Sequence, residues 1–231
     1  MKICIVIPVY NEEKNIGALV EKLRQRQLDT VVVNDGSSDR SAAIAKDKGA
    51  TVINNEKRCG KGQSLRRGFQ YVLENCFDGV VTMDGDGQHD VNDLDGMIKK
   101  AHADKNCIVT GSRMLNPKGM PLIRLIVNKL MSALISAVCR QKIPDTQCGY
   151  RYIAAPILKN ISLTSSDFEI ESEVLIQASR HGFKIYSVPI KTIYGGECSK
   201  INPVVDTFRF LIYIIREAVM PRPKAVSGDE K

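Results

Sequence analysis

Val80-Val81-Thr82-Met83-Asp84-Gly85-Asp86-Gly87-Gln88-His89 is the stretch on which the fold turns. An apolar run, Gly79–Met83, stops abruptly at two carboxylates one glycine apart, followed by an amide. Short, continuous and β-branched, it predicts a parallel strand buried on both faces. Open α/β sheets place ligands beyond the carboxyl ends of their strands, which is where Asp84 and Asp86 emerge. Alternate residues of an extended chain share a side, so both carboxylates can face one pocket. Two such anions repel unless a cation neutralises them. Mg2+ takes one or two carboxylates and completes its shell with water and substrate phosphates. Gly85 and Gly87 leave room for something bulky near the backbone. The stretch reads as a metal–diphosphate site; the plainer alternative is a polar turn in which Asp90 caps the segment after it.

Outward from this strand, the pattern alternates. Ile3–Val9 predicts a first strand, and Ile16, Leu19, Val20 and Leu23 mark an amphipathic helix from Asn11 to about Gln27. Strands follow at Thr30–Val33, Ala50–Ile53 and Cys107–Thr110, with helices to about Lys48, over Lys61–Leu73 and over Asp90–Ala103. This rhythm with short links calls for an α/β fold with a mainly parallel sheet and right-handed crossovers. Beyond Gly111 it breaks. Met120–Cys139 predicts a long apolar helix with polar residues at Arg124, Asn128, Ser132 and Ser136, a four-residue spacing that draws one thin stripe. Ile143–Ala154 reads as a loop into a strand, Asp167–His181 as a helix, Lys184–Val188 as a strand and Val204–Met220 as a second apolar helix. The two apolar helices suit either core packing or contact with a lipid surface flanked by basic residues. One domain over 1–220 and a disordered tail over 221–231 are expected.

With 231 residues the chain is long enough to bury a substantial core. Its net charge of +7 suits anionic ligands or a membrane surface. Nucleic acid is not an expected partner, since the cations are dispersed and no Trp offers a stacking platform. Seven cysteines without a CxxC pair argue against zinc and thioredoxin-type chemistry. They read as small hydrophobes in a reducing compartment; Cys148, in a polar loop, is the one candidate nucleophile. No stretch reaches about 18 uncharged apolar residues, so no bilayer-spanning segment is expected. The expected location is the cytoplasm, with peripheral contact at the cytoplasmic face of a membrane.

Polar groups recur at the strand ends. Tyr10 offers a ring face for a base, and Glu12 an acceptor for base or sugar hydroxyls. Asp35, past the second strand, is placed to receive ribose or base donors. Arg58-Cys59-Gly60-Lys61-Gly62 opens a helix with backbone N–H groups and positive charge, an anion site without Walker spacing.

The ordered set PVYNEE (8–13), NDGSSD (34–39), GKG (60–62), DGDGQH (84–89), GSR (111–113), DTQCGYR (145–151) and YGGECSK (194–200) resembles family 2 glycosyltransferases of the GT-A fold. It is most similar to their dolichol-phosphate mannose synthase and polyprenol-phosphate glycosyltransferase branch. The resemblance implies a GDP- or UDP-sugar donor held by Pro8, Tyr10, Glu12, Val33, Asp35 and Asp84. It implies Mg2+ or Mn2+ on the aspartate pair, with Asp86 and Gln88 as ligands beside Asp84. Arg113 and Arg124 match arginines that hold an acceptor phosphate, and Lys200 a lysine that reaches the donor diphosphate. The QxxRW motif of processive synthases does not appear.

Negative charge building on the leaving oxygen would be met by the Asp86-bound cation, Lys200 and Arg113. A lipid phosphate is already anionic and needs no base; a hydroxyl acceptor would, and Asp145 is then the candidate, with His89 a lesser one. Asp145 reads equally as a loop carboxylate bonding the Thr146–Gln147 backbone. Three competitors remain: transfer to a soluble or protein hydroxyl, a non-catalytic nucleotide-sugar sensor, and a nucleotidyltransferase. The last wants a Gly-rich basic loop where Tyr10-Asn11-Glu12-Glu13 stands.

Overall fold

The computed structural model describes residues 1–115, 117, 120–167, 169–191 and 214. Seven strands form one sheet in the order β3-β2-β1-β4-β6-β5-β7. They are β1 (Ile3–Val9), β2 (Asp29–Asn34), β3 (Thr51–Asn54), β4 (Gly79–Thr82), β5 (Cys107–Ser112), β6 (Arg151–Ala154) and β7 (Lys184–Pro189). All pairings are parallel except those of β6, which runs antiparallel to both β4 and β5. The β-branched runs of β1, β2 and β4 are buried because helices flank the sheet.

The helices are α1 (Ile16–Gln25), α2 (Ser41–Asp47), α3 (Lys61–Glu74), α4 (Leu94–Ala103), α5 (Leu122–Cys139), α6 (Ala155–Asn160) and α7 (Ile170–Arg180). Several differ from the sequence expectation: α6 has no counterpart in it, α7 begins at Ile170 and not Asp167, and the starts of α1 and α4 shift. The first helix begins at Ile16, not Asn11, because Asn11 holds a left-handed φ of 54°. The N–H groups of residues 11–13 are also engaged by Ser37, Ser41 and Asp39. Asp90 does cap a short 3₁₀ turn at 91–93, accepting from the Asn92 N–H at 2.9 Å, before α4 begins.

The strand order reverses between β1 and β4, since β2 and β3 lie on one side of β1 and β4 on the other. Such a switch point leaves a crevice beyond the strand ends. Val9 pairs with Asn34, and Val6 with Thr82, so the chains leaving β1, β2 and β4 emerge together. α3 lies close over β1: a Cβ on Gly68 would meet Val6 Cγ1 at 2.3 Å.

At 18 residues, α5 is long and apolar enough to cross a membrane by length and composition alone, although Arg124 and Lys129 interrupt its apolar run. Its first half reverses the orientation of an ordinary surface helix. Leu122, Ile123, Ile126, Val127 and Leu130 are exposed, Ile123 by 79% and Leu122 by 69%. Asn128 and Ser132 are buried with Met131, Ile135 and Cys139. Ser132 Oγ accepts from the Thr146 N–H at 3.0 Å, and Ser136 Oγ from the Ile143 N–H at 3.0 Å. The polar stripe therefore fastens the 143–146 loop. The second apolar helix expected at Val204–Met220 and the 221–231 tail fall outside the described residues, apart from Ile214, which is buried.

Candidate active site

Three loops are laced together over the switch point. Asn11 Oδ1 accepts from the Ser38 N–H at 2.9 Å, and Glu13 from the Arg40 N–H at 3.2 Å. Asp35, 4% exposed, accepts from Asn55 Nδ2 at 2.7 Å, the Cys59 N–H at 2.8 Å and the Gly60 N–H at 2.9 Å. Three of its roughly four acceptor directions are thus used, two of them in shaping the 58–60 loop. That loop brings the Arg58 guanidinium over the Tyr10 ring, 4.3 Å from its centroid. Pro8 lines a small pocket with Lys61, Asp84, Gly149 and Glu171. Val33 is fully buried, so its side chain faces the core and only its main chain remains for a donor.

Asp84 leaves β4 into a ladder of charges. Lys61, the first residue of α3, donates to Asp84 Oδ1 at 2.5 Å and to Glu171 Oε1 at 2.6 Å. Gly149 makes this possible, since a Cβ there would stand 2.8 Å from Asp84 Oδ2 and 3.0 Å from Glu171 Oε1. Burial alone would raise the Asp84 carboxyl, but Lys61 and His89 outweigh it and hold it far below the carboxylate range. Burial likewise opposes the charge on Lys61, yet its two carboxylate partners keep the ammonium protonated.

Asp86 behaves in the opposite way. Burial pushes its carboxyl up; the charges of Asp84 and Glu12 add to this, while the Gln88 N–H, bonded to Oδ1 at 3.0 Å, opposes it. A corner where Asp84, Asp86 and Glu12 gather negative charge is one that a divalent ion fits. Asp84, Asp86 and Gln88 offer hard oxygen atoms, the donor class that suits Mg2+ or Mn2+. No group of three or more acidic, His or Cys side chains able to hold a metal occurs among the described residues. Substrate phosphates would complete such a shell. His89 Nε2 lies 3.5 Å from Asp84 Oδ2, whereas its buried Nδ1 has no hydrogen-bond partner.

Asp145 departs from its expected role. It is fully buried, and it accepts from Arg113 three times: the N–H at 3.1 Å, Nε at 2.8 Å and Nη2 at 3.0 Å. Burial would raise its carboxyl, but the guanidinium overrides that and lowers it. A sealed, fully charged carboxylate bound to an arginine is poorly suited to take a proton from an acceptor; its geometry is that of a clamp. Cys148 is also unsuited as a nucleophile, because burial pushes its thiol up to about 12. Arg124 sits exposed on the first turn of α5, with no described contact to Arg113. Lys200 lies outside the described residues.

Three residues escaped the sequence reading of individual roles. Glu171 stood within an acidic helix start, Arg58 within a loop read only as an anion site, and Arg151 within a quoted motif with no task assigned. The available signal for Arg151 was a charge between Tyr150 and Tyr152 at the head of an apolar strand.

A family model described as "Glycosyl transferase family 2" matches residues 4–162. A UDP-N-acetylglucosamine–dolichyl-phosphate N-acetylglucosaminyltransferase of Methanococcus voltae is 33% identical over 215 residues, 83% of this chain and 86% of that protein. The polyprenol monophosphomannose synthase of Mycolicibacterium smegmatis is 26% identical over 200 residues, 80% of this chain and 75% of that protein. Among solved structures, glucosyl-3-phosphoglycerate synthase of Mycobacterium tuberculosis in complex with Mn2+ and UDP-glucose superposes with a TM-score of 0.74. That match has 20% identity and covers 95% of this chain and 80% of that one, a likeness of GT-A fold.

Proposed function

Because the chain belongs to glycosyl transferase family 2, we propose that it carries a sugar from a UDP- or GDP-sugar to a polyprenyl phosphate at a membrane surface, inverting the anomeric centre. The observation that carries this reading is α5, which wears its apolar side outward with exposed Arg124, Lys129, Arg140 and Lys142 on and just beyond it. The names of the M. voltae and M. smegmatis relatives point to the same acceptor class.

In this reading Tyr10, Arg58 and Glu12 hold the nucleoside, with Asp35 fixing the loop that carries Arg58. Asp84, Asp86 and Gln88 would hold Mg2+ or Mn2+, which when bound supplies charge neutralisation at the departing diphosphate. Lys61 exchanges part of its hold on Asp84 for a diphosphate oxygen, because both are hard anions within reach of one ammonium. Arg113, aimed by Asp145, and Arg124 at the head of α5 grip the acceptor phosphate, as guanidinium groups suit its oxygens in pairs. That phosphate oxygen attacks without losing a proton, so the absence of a suitable base at Asp145 is no obstacle.

The test is a panel of UDP- and GDP-sugars with Mn2+ or Mg2+, with and without polyprenyl phosphate in vesicles, scoring released nucleoside diphosphate. Release dependent on the lipid is expected, with Asp86→Ala lowering it about a thousandfold. Transfer to a soluble hydroxyl in preference to the lipid would overturn the acceptor class. Nucleotide binding without release from any donor would favour the sensor.

A further inference from the structure

Arg151 opens β6 with 2% of its surface exposed, and its guanidinium reaches in three directions. Nε donates to the Cys148 carbonyl at 2.7 Å and Nη2 to the Thr146 carbonyl at 2.8 Å. Nη1 donates to the Glu171 carbonyl, and Nη2 lies 3.7 Å from Glu171 Oε2. The first two bonds hold the loop in which Asp145 clamps Arg113. The others hold the residue that Lys61 bridges to Asp84. Thr82 Oγ1 adds a bond to the Gly149 carbonyl at 2.6 Å, joining the end of β4 to the same loop.

We propose that Arg151 is a positioning residue that sets two half-sites against each other: Arg113 for the acceptor phosphate, and Lys61 with Asp84 for the donor diphosphate. The proposal rests on the acceptor and donor assignments above. Its physical ground is the planar guanidinium, whose donors diverge at fixed angles and so fix one partner relative to another. An ammonium is a point charge on a flexible stem and cannot hold both angles at once. Two substrates must meet in line for the displacement, and a misplacement on the ångström scale is costly in rate. Neither pairing by itself requires a shared cation.

Arg151→Lys keeps the charge and removes the fork. Folding is checked first by thermal unfolding. Calorimetry then gives the dissociation constant for UDP or GDP with Mn2+, and steady-state kinetics the KM for polyprenyl phosphate. Both constants are expected to worsen about tenfold in the folded variant, whereas Asp145→Asn affects the acceptor constant and Glu171→Gln the nucleotide constant. A folded Arg151→Lys that shifts neither constant, or only one, overturns the proposal. Should Arg151→Lys fail to fold, the double variant Asp145→Asn/Glu171→Gln decides. Losses in kcat/KM that multiply independently overturn the coupling, and a combined loss short of the product supports it. A wild-type chain that binds nucleotide but ignores polyprenyl phosphate sinks the acceptor reading alone. Arg151→Lys is then judged on the nucleotide constant, where no change overturns the proposal.

Discussion

α3 and α5 solve the same packing problem in opposite ways. α3 turns Leu65, Phe69 and Val72 inward and leaves Gln70 and Glu74 to water, and Gly68 lets it settle onto β1. α5 turns Asn128 and Ser132 inward beside Met131, Ile135 and Cys139, and leaves Ile123, Ile126 and Leu130 outside. The contrast separates what burial dictates from what hydrogen bonding dictates. α3 is placed by the hydrophobic effect. α5 is held where Ser132 and Ser136 can satisfy main-chain groups of the 143–146 loop, groups that would be costly to leave unpaired. Its outer face is left for an apolar environment that the described residues do not supply, and in the proposed function a bilayer supplies it. In that proposed function the donor side hangs from a helix ordered by the core, and the acceptor side from one whose apolar face no described residue covers.

The largest difference should appear in stability. Phe69→Ala in α3 removes a buried ring and is expected to cost about 3–5 kcal/mol in chemical denaturation, whereas Ile126→Ala in α5 should stay within about 0.5 kcal/mol. Equal losses would break the comparison. Next, Ile123→Ser with Ile126→Ser should leave folding intact but weaken vesicle flotation by up to about 1.5–3 kcal/mol per side chain. Unchanged flotation on anionic vesicles at low salt would remove the lipid from the account of α5. Third, Ser132→Ala strips the Thr146 N–H of its acceptor, for a loss of about 1–2 kcal/mol. It should raise the acceptor KM while the nucleotide dissociation constant holds; a shift in the nucleotide constant instead would place the stripe on the donor side.

The smallest effect concerns acid. Burial opposes the Asp145 charge, but Arg113 lowers the folded carboxyl below its ordinary 3.8. A lowered folded value means stability that is present above the unfolded value and lost as pH falls through the folded one. The gap in urea midpoint between wild type and Asp145→Asn should therefore be full near neutrality and narrow below about pH 4. A gap that widens in acid would contradict the clamp.

Much of the polar cluster at the strand ends is legible along the chain, because its parts are local. Asp84 and Asp86 follow a strand whose burial is written in consecutive β-branched residues, and Tyr10, Glu12 and Asp35 follow two more. The start of α1 was misplaced because the N–H groups of residues 11–13 are taken by Ser37, Ser41 and Asp39, partners no local window contains. Asp145 does bond the adjacent backbone through the Gln147 N–H, as a loop carboxylate can, but its main partner is hidden from the sequence for a similar reason. A loop carboxylate looks available until Arg113, 32 positions away, is seen to occupy it. Val33 was placed rightly in a strand, but burial took its side chain out of reach.

What the residues determine by themselves is the alternation of strands and helices and the chemistry at each strand end, since both follow from spacing and side-chain type. The tertiary structure decided what each charge faces. It slid β6 antiparallel between β4 and β5, carrying Arg151 to a point between Asp145 and Glu171. It also turned the polar stripe of α5 inward, a choice that helical periodicity cannot make. Periodicity fixes which residues share a face; the main-chain groups of the 143–146 loop that Ser132 and Ser136 pair, with the core contacts of Met131, Ile135 and Cys139, fix which face is buried.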